Sequence, residues 1–384
     1  MLVKNNYNEC LTNLACSIRK YFELDYKHNT LDYIDKLLEE KQPKNVVVIL
    51  FDGMGSRILD RTLSKDDFLI KQKYKEITTV FPATTTAATT SMQTGLNPIE
   101  HGYLGWNMYL SPIDETVELY TGINKETGTP STKYPEIQKK YLSPKTIVDE
   151  INEQNKYHAI SLFPFKDTKY KDLDEMISII EKECQKEEKK YIYAYDDEPD
   201  HTMHNLGPDS KEAKELIKTR NNKIEELSKK LDDTIIFIVA DHGHIKTENL
   251  YLKDYPELLN MLERTTSIEP RAISFKIKKE LQKEFEKKFK ETFKNDFDLY
   301  PKEEVISSKL FGDGIENPLF KNALGDYLSI AKTNKAILTD GDAELYSLHA
   351  GYTEDEIYIP LIIIDKTAKE NTNNYYLKGG KNEL

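Results

Sequence analysis

Cysteine is scarce in this chain of 384 residues, which has only Cys10, Cys16 and Cys184 and no Cys-x-x-Cys pair. Three thiols this scattered exclude a disulfide framework and favour reduced, packed side chains. Long apolar runs are missing too. No segment approaches the roughly 18 residues of a spanning helix, and residues 1–24 hold no apolar core of signal-peptide length. These absences predict a cytoplasmic location without a membrane span.

Positive charge is in deficit, because 54 Lys and Arg residues stand against 66 Asp and Glu residues, for a net charge of -12. A protein that coats nucleic acid or lies on anionic lipid needs the opposite balance, so no nucleic-acid polymer is expected as a partner. An anionic small-molecule substrate would need local positive charge, and bound metal is one source. The length suits one large α/β domain or a domain with a sizeable insertion.

Five short apolar, β-branched segments recur along the chain, at 45–50, 158–163, 191–195, 235–240 and 358–364. Segments that are apolar at nearly every position are typical of central strands covered on both faces, as in a parallel sheet. Helical patterns lie between them, such as 209–231, where Asp209 and Ser210 can cap the helix. The alternation predicts an α/β fold with a doubly wound, mostly parallel sheet.

The composition changes between residues 247 and 335, where a Lys/Glu-rich segment carries Leu281, Phe285, Phe289 and Phe293 at intervals of four. This spacing predicts a helix with one apolar face packed on a small sheet amid solvated charges. We therefore expect an inserted α+β subdomain over 247–335, a candidate cap over the site. The main core then comprises residues 1–246 and 336–384.

Acidic residues and histidines follow three of the predicted strands. Asp52 follows the first apolar segment, Asp241 and His242 follow the fourth, and Asp200 and His204 lie in the loop after the third. A lone aspartate at a strand end is more often a cap or turn former than a ligand. Three clusters of the same oxygen and nitrogen donors favour a metal site, because ligands gather at the carboxyl ends of strands in open α/β sheets.

Zinc prefers this pairing of imidazole and carboxylate among non-thiolate ligands, and manganese is the alternative. His349 stands just before the last apolar segment and would add a further nitrogen to the same edge. His201 and His244 adjoin the clusters and are candidates to hydrogen-bond the ligands from outside.

A run of threonines lies in "VFPATTTAATTSMQTG", residues 80–95. By itself it is explained as a β-branched, polar start of a helix. A threonine hydroxyl is a poor nucleophile near its free pKa and needs a base or a metal to activate it. The strand-end clusters are where such an activator would lie.

Taken in order, the motifs "FDGMG", "FPATTTAATTSMQTGLNPIEHGYLGWNMY", "EPDHTMHNLGP", "ADHGH" and "HAGYTEDE" resemble the type I phosphodiesterase/nucleotide pyrophosphatase family of the alkaline phosphatase superfamily. The resemblance implies a hydrolase of phosphodiester or nucleotide pyrophosphate bonds with two divalent metal ions, usually zinc. Carried over by position, it implies one ion at Asp200, His204 and His349. The other would be held by Asp52, Asp241 and His242.

The family's nucleophile lies four residues after the Phe of its Phe-Pro motif, which is Thr85 here, with Thr84 and Thr86 as competing assignments. The resemblance thus implies a phosphothreonine intermediate. Eukaryotic members carry an asparagine three residues after the nucleophile, where this chain has Ala88. Contact with a phosphoryl oxygen would then come from the Thr86 backbone N–H or from Asn107.

Substrate preference stays open at this point. Tyr103, Trp106 and Tyr109 could stack on a nucleotide base or serve as packing residues. Within the enzyme class, a phosphomonoesterase or phosphonate hydrolase on the same scaffold is the alternative, because fold and metals do not fix the leaving group. A catalytically inactive metal-binding interaction module is a third interpretation. The expected partner is a small phosphodiester or nucleotide, and the sequence indicates no oligomeric state.

Overall fold

A computed structural model of the chain describes residues 4–164 and 170–367. The strands of this part are β1 (Asn45–Phe51), β2 (Lys73–Thr78), β3 (Asn107–Leu110), β4 (Glu115–Glu118), β5 (Ile123–Asn124), β6 (Thr129–Pro130), β7 (His158–Leu162), β8 (Lys190–Asp196), β9 (Thr234–Val239), β10 (Ile245–Lys246), β11 (Glu248–Tyr251), β12 (Ser267–Glu269), β13 (Ala272–Phe275), β14 (Phe297–Pro301), β15 (Tyr327–Ala331), β16 (Lys335–Leu338), β17 (Ser347–Leu348) and β18 (Tyr358–Asp365).

The helices of the same part are α1 (Leu11–Tyr21), α2 (Asp32–Lys41), α3 (Ser56–Thr62), α4 (Phe68–Gln72), α5 (Thr85–Thr94), α6 (Pro98–His101), α7 (Tyr134–Tyr141), α8 (Ile147–Gln154), α9 (Leu173–Cys184), α10 (Asp200–Leu206), α11 (Lys211–Ser228), α12 (Pro256–Leu259), α13 (Gln282–Phe293), α14 (Lys302–Ser307), α15 (Phe320–Ala323) and α16 (Glu354–Ile357). No helix in the described part of the chain combines the length and apolarity that crossing a bilayer requires.

A six-stranded sheet in the order β2-β18-β9-β1-β8-β7 forms the centre of the molecule. Strands β7, β8, β1 and β9 run parallel, whereas β18 is antiparallel to both β9 and β2. All seven positions of β1 and all six of β9 are buried, as expected for strands covered on both faces. The predicted α/β fold is confirmed, and each of the five predicted strands is found in this sheet.

Helices pack against the central sheet and close its core. Leu14 of α1, Ile151 of α8, Ile180 of α9 and Ile224 of α11 belong to the same hydrophobic cluster as the strands. The predicted helix 209–231 is found as α11, and the Ser210 side chain accepts a hydrogen bond from an amide of its first turn. Burial of these apolar faces, rather than helix propensity, holds the layers together.

A second, eight-stranded sheet in the order β14-β15-β13-β12-β3-β4-β5-β6 is built from two distant parts of the chain. Its strands β12 to β15 come from the predicted subdomain 247–335, and β3 to β6 come from residues 107–130. The two groups join where Ile268 of β12 lies opposite Asn107 of β3. The domain division at 247 and 335 stays a prediction, and the core residues beyond 367 lie outside the described part.

The predicted amphipathic helix of the subdomain is α13. Phe285, Phe289 and Phe293 are buried along one face, and the rings of Phe285 and Phe289 lie 5.2 and 5.5 Å from the ring of Phe275 in β13. Leu281 is partly buried against the same cluster. The interval of four therefore identified the packed face of this helix correctly.

Candidate active site

Acidic residues from the carboxyl ends of neighbouring strands lie against one another at the edge of the central sheet. Asp52 directly follows β1, and its carbonyl accepts a hydrogen bond from the backbone N–H of Asp200, the first residue of α10 (3.1 Å). Gly53 adopts φ +70° between them, and a Cβ there would lie 3.0 Å from the Asp200 carboxylate and 2.8 Å from Met203. Only glycine allows this approach.

Asp52, Asp241 and His242 surround one point of the site. The Nε2 atom of His242 lies 3.3 Å from Oδ1 of Asp52 and 3.5 Å from Oδ2 of Asp241. Both of these oxygens are buried and have no hydrogen-bond partner among the described residues. Buried carboxylate oxygens are normally paired, so this arrangement fits a bound cation. The other Asp241 oxygen accepts hydrogen bonds from the backbone N–H groups of Gly53 and His242.

Asp200 joins a second group of ligand-type atoms with three histidines. One ligand atom each of Asp200, His204, His244 and His349 lies within 4.8 Å of the others, and a further group of this kind comprises Asp52, Asp200 and His242. His204 Nε2 lies 3.2 Å from Oδ2 of Asp200, and His244 Nε2 contacts Oδ1 of the same residue. Asp200 therefore lies between the two groups and could contribute to both.

Backbone carbonyls fix the orientation of three site histidines. A carbonyl can only accept, so each Nδ1 carries a hydrogen and a neutral ring presents the lone pair of Nε2 to the site. This is the usual arrangement of metal-binding histidines. The pairs are His204 with the Ser347 carbonyl (2.7 Å), His242 with the Gly243 carbonyl (3.1 Å) and His349 with the Ala83 carbonyl (2.8 Å).

Burial and mutual repulsion perturb the acids and imidazoles of the site. Burial, together with the charges of Asp200 and Asp241, raises the pKa of Asp52 well above its usual range. Although burial opposes it, His204 and His244 hold the pKa of Asp200 well below its usual range. Burial and the neighbouring histidines lower the pKa of His349 well below its usual range. Carboxylates and imidazoles crowded in this way form a donor set suited to zinc or manganese.

Helix α5 brings one hydroxyl of the threonine run to this centre. Oγ1 of Thr85 lies 3.2 Å from Nε2 of His242 and 3.4 Å from Oδ2 of Asp52. Neither competing hydroxyl hydrogen-bonds these ligands, because Thr84 Oγ1 donates to Glu269 and Thr86 Oγ1 is buried without a hydrogen-bond partner in the described part of the chain. The geometry favours Thr85 among the three, although the nucleophile assignment itself stays a prediction.

The residues assigned to substrate contact lie in different surroundings. Asn107 is buried on β3, and its Oδ1 has no hydrogen-bond partner among the described residues. Tyr103 is buried and donates to the Leu142 carbonyl (2.8 Å), which is a packing role. Tyr109 donates to Asp114 at 2.7 Å, and Arg264 lies over its ring. Trp106 is half-buried, with its ring 6.0 Å from that of Tyr120.

Sequence reasoning missed two residues of the site. The Tyr195 hydroxyl donates to Oδ2 of Asp52, and Glu269 of the second sheet contacts Thr84 beside Thr85. Tyr195 belongs to the apolar segment that predicted β8, where a tyrosine is expected as a packing residue. Glu269 is far from every site motif in sequence, so only the folded chain brings it here. His244, expected to hydrogen-bond a ligand from outside, contacts the predicted ligand Asp200 and also belongs to its group of ligand-type atoms.

Comparisons with known proteins identify the family and the fold. The family model for type I phosphodiesterase / nucleotide pyrophosphatase matches residues 46–344. Murine ectonucleotide pyrophosphatase / phosphodiesterase 5, solved as an inactive variant in complex with AMP, is 17% identical, with a TM-score of 0.62 over 82% of this chain and 87% of that chain. The human protein of the same name is 19% identical, with a TM-score of 0.59 over 83% and 87%. None of the curated proteins matches.

At these identities the structural likenesses show the fold alone, whereas the family match covers most of the chain. It includes every predicted site residue except His349, which follows its last matched position. The chain belongs to the type I phosphodiesterase / nucleotide pyrophosphatase family of hydrolases.

Proposed function

We propose that the protein hydrolyses phosphodiester or nucleotide pyrophosphate bonds through a phosphothreonine intermediate on Thr85. The observation that carries the proposal is the position of the Thr85 hydroxyl, 3.2 Å from Nε2 of His242 and 3.4 Å from Oδ2 of Asp52. A hydroxyl among metal-type ligands is the arrangement that activates a weak nucleophile. The AMP complex of the murine neighbour supports a nucleotide as the substrate class.

Two divalent ions fit the donor set, with zinc favoured and manganese accepted. One would be held by Asp200, His204 and His349, and the other by the remaining ligands Asp52, Asp241 and His242. Bound there, the ions would lower the pKa of the Thr85 hydroxyl and neutralise charge on the reacting phosphoryl group. The buried, unpartnered oxygens of Asp52 and Asp241 support this assignment.

The start of helix α5 would bind the phosphoryl oxygens. Thr84 is the N-cap residue, but its side chain makes no capping hydrogen bond because it donates to Glu269 instead. The first-turn N–H groups of α5, including that of Thr86, therefore remain available to an anion. Asn107, with its unpartnered buried Oδ1, is the second proposed contact on the substrate.

Thr85 Oγ, its proton passing to solvent, would attack phosphorus in line with the leaving group, so that the new O–P bond forms as the leaving-group bond breaks and the departing oxygen leaves with its electron pair to be protonated by water. Water would then attack the phosphothreonine, releasing the phosphate product and restoring the hydroxyl. His242 and Asp52 would hold Thr85 Oγ in place during both displacements.

Substitution of the threonines tests the proposal. We expect Thr85→Ala to lower the hydrolysis of bis(p-nitrophenyl) phosphate by about 10³-fold, because the attacking atom is gone. Thr86→Ala is the matched control within the same turn and should stay within about tenfold. Mass spectrometry of enzyme acid-quenched during turnover should find a p-nitrophenyl phosphoryl group on Thr85, because the first displacement releases only one p-nitrophenolate. A Thr85→Ala enzyme of near-normal diesterase activity would overturn the mechanism. Bound metal without turnover of any phosphoester in the native protein would favour the binding-module interpretation.

A further inference from the structure

The carboxyl group of Glu269 lies buried beside the turn that carries Thr85. Glu269 ends β12 in the second sheet, and its side chain reaches across to the start of α5. Oε1 accepts two hydrogen bonds, from the Thr84 hydroxyl (2.5 Å) and from the backbone N–H of Trp106 (2.8 Å). Thr84 is the N-cap residue of α5 and directly precedes Thr85, so this carboxyl lies at the N-terminal end of the helix that carries the reacting hydroxyl, and it is not one of the predicted metal ligands.

Nothing in the described part of the chain neutralises Glu269. The residue is only 8% exposed, yet no Lys, Arg or His in that part forms an ion pair with it. The nearby cation Lys125 is already paired with Asp342 at 2.6 Å. Burial raises the pKa of Glu269 to about 7. A buried carboxyl without a cation destabilises a fold, and such groups cluster at functional sites.

The second oxygen of Glu269 is free for another task. Oε1 receives both hydrogen bonds, and Oε2 receives none from the residues that the structure describes. Through Thr84 the carboxyl contacts the N-terminal turn of α5, whose N–H groups are the proposed contacts of the phosphoryl oxygens. Oε1 thus joins the start of α5 to the Trp106 backbone, while Oε2 is left to place negative charge beside that turn.

The net charge of the site indicates how the Glu269 carboxylate could affect the choice of substrate. The predicted ligands include three carboxylates, Asp52, Asp200 and Asp241, and two divalent ions would leave one positive charge in excess. An ionised Glu269 would cancel this excess, and a phosphodiester then brings only one ionised oxygen on its reacting phosphorus. A phosphate monoester carries two at alkaline pH, and the Glu269 carboxylate would repel the second. Specificity of this kind is built by placing like charge against the wrong ligand.

We propose that Glu269 is a specificity-determining residue that excludes phosphate monoesters by charge and so commits the site to phosphodiesters and nucleotide pyrophosphates. The inference rests on the proposed function, because it assumes that the reacting phosphate lies beside Thr85. It distinguishes the diesterase from the phosphomonoesterase alternative on the same scaffold.

The test compares bis(p-nitrophenyl) phosphate with p-nitrophenyl phosphate at about pH 8.5, where the monoester is a dianion and a carboxyl titrating near 7 is ionised. Glu269→Gln keeps an acceptor oxygen for Thr84 and Trp106 but removes the charge. We expect kcat/KM for the monoester to rise by about tenfold while that for the diester changes by less than about threefold. Asp298→Asn, a charge loss on β14 at the edge of the same sheet, should leave the ratio unchanged.

The outcomes separate the two proposals. If the wild type hydrolyses the diester through Thr85 and Glu269→Gln leaves the ratio unchanged, the role of Glu269 is wrong and the proposed function stands. If the wild type hydrolyses no diester, the proposed function fails first. Glu269→Ala, which removes the carboxyl altogether, should shift the ratio in the same direction. Loss of bound zinc and of all activity in both variants would assign Glu269 to the fold and overturn the inference.

Discussion

The guanidinium of Arg271 and the carboxylate of Glu356 form a fully buried, bidentate ion pair, with N–O distances of 2.7 and 2.8 Å. Oε1 of Glu356 also accepts the backbone N–H of Gly351, two residues after His349. The Glu356 carbonyl accepts the N–H of Gly243, which directly follows His242. One residue therefore holds two histidine-bearing loops, and Arg271 fixes that residue from the second sheet.

Breaking this pair should destabilise the protein strongly. Arg271→Met leaves the Glu356 carboxylate buried without a cation, and we expect the free energy of unfolding to fall by about 3–5 kcal/mol. The double variant Arg271→Met/Glu356→Leu removes both charges and should recover part of the loss. Urea titration followed by circular dichroism measures both changes. A single variant as stable as the wild type would show that the pair contributes little.

The same pair predicts a dependence of stability on acid. Although burial opposes it, Arg271 holds the pKa of Glu356 below its usual range. An acid with a depressed folded pKa stabilises the protein above its unfolded pKa, and this contribution is lost as pH falls through the folded pKa. The melting temperature of the wild type should therefore fall more steeply below about pH 4 than that of Arg271→Met/Glu356→Leu. Parallel curves for the two proteins would contradict this linkage.

Tyr195 should act on the reaction rather than on the fold. Its hydroxyl donates to Oδ2 of Asp52, the oxygen that also lies 3.4 Å from the Thr85 hydroxyl. Tyr195→Phe keeps the packed ring and should lower kcat for the diester by about tenfold, with less than about 1 kcal/mol lost in stability. Tyr193→Phe is the matched control on β8, because its buried hydroxyl has no hydrogen-bond partner among the described residues. Equal effects of the two variants on kcat would refute the role of Tyr195.

Metal removal should lower stability as well as activity. Chelation would leave the carboxylates of Asp52, Asp200 and Asp241 buried within a few ångströms of one another, and ligands that bind only the native state stabilise it. We expect dialysis against EDTA to lower the melting temperature, and added zinc to restore it. Asp200→Asn, which alters the carboxylate shared by both ligand groups, should show a smaller shift. An EDTA-treated protein with unchanged melting temperature would argue against a tightly bound metal.

The central sheet could be predicted from sequence because its strands are buried on both faces and therefore uniformly apolar. Strand β2, "KYKEIT", was not predicted, because it lies at the edge of the central sheet and mixes exposed and buried positions. The sequence also did not reveal that β18 runs antiparallel to its neighbours. An apolar segment has the same composition whether it pairs parallel or antiparallel, and only its neighbours β9 and β2 decide.

The predicted ligands could be identified because each follows a strand end, where topology brings distant residues together. Glu269 and Arg271 lie in "TSIEPRAISF", a stretch that resembles any half-buried strand pair. Their importance comes from partners far along the chain, Thr84 and Glu356, which no local pattern reveals. The cytoplasmic location also stays a prediction from the N-terminal sequence.

The joint between β3 and β12 has a consequence for synthesis on the ribosome. Strand β3 is synthesised long before Ile268 of its partner strand β12. Until then, the β3 edge of the β3–β6 meander has no neighbouring strand. An unpaired edge invites association with other nascent chains until β12 arrives. Translation that stalls between these two strands should therefore yield aggregation-prone fragments. Synthesis of β12 to β15 would then pair the exposed edge of β3 and end this tendency to aggregate.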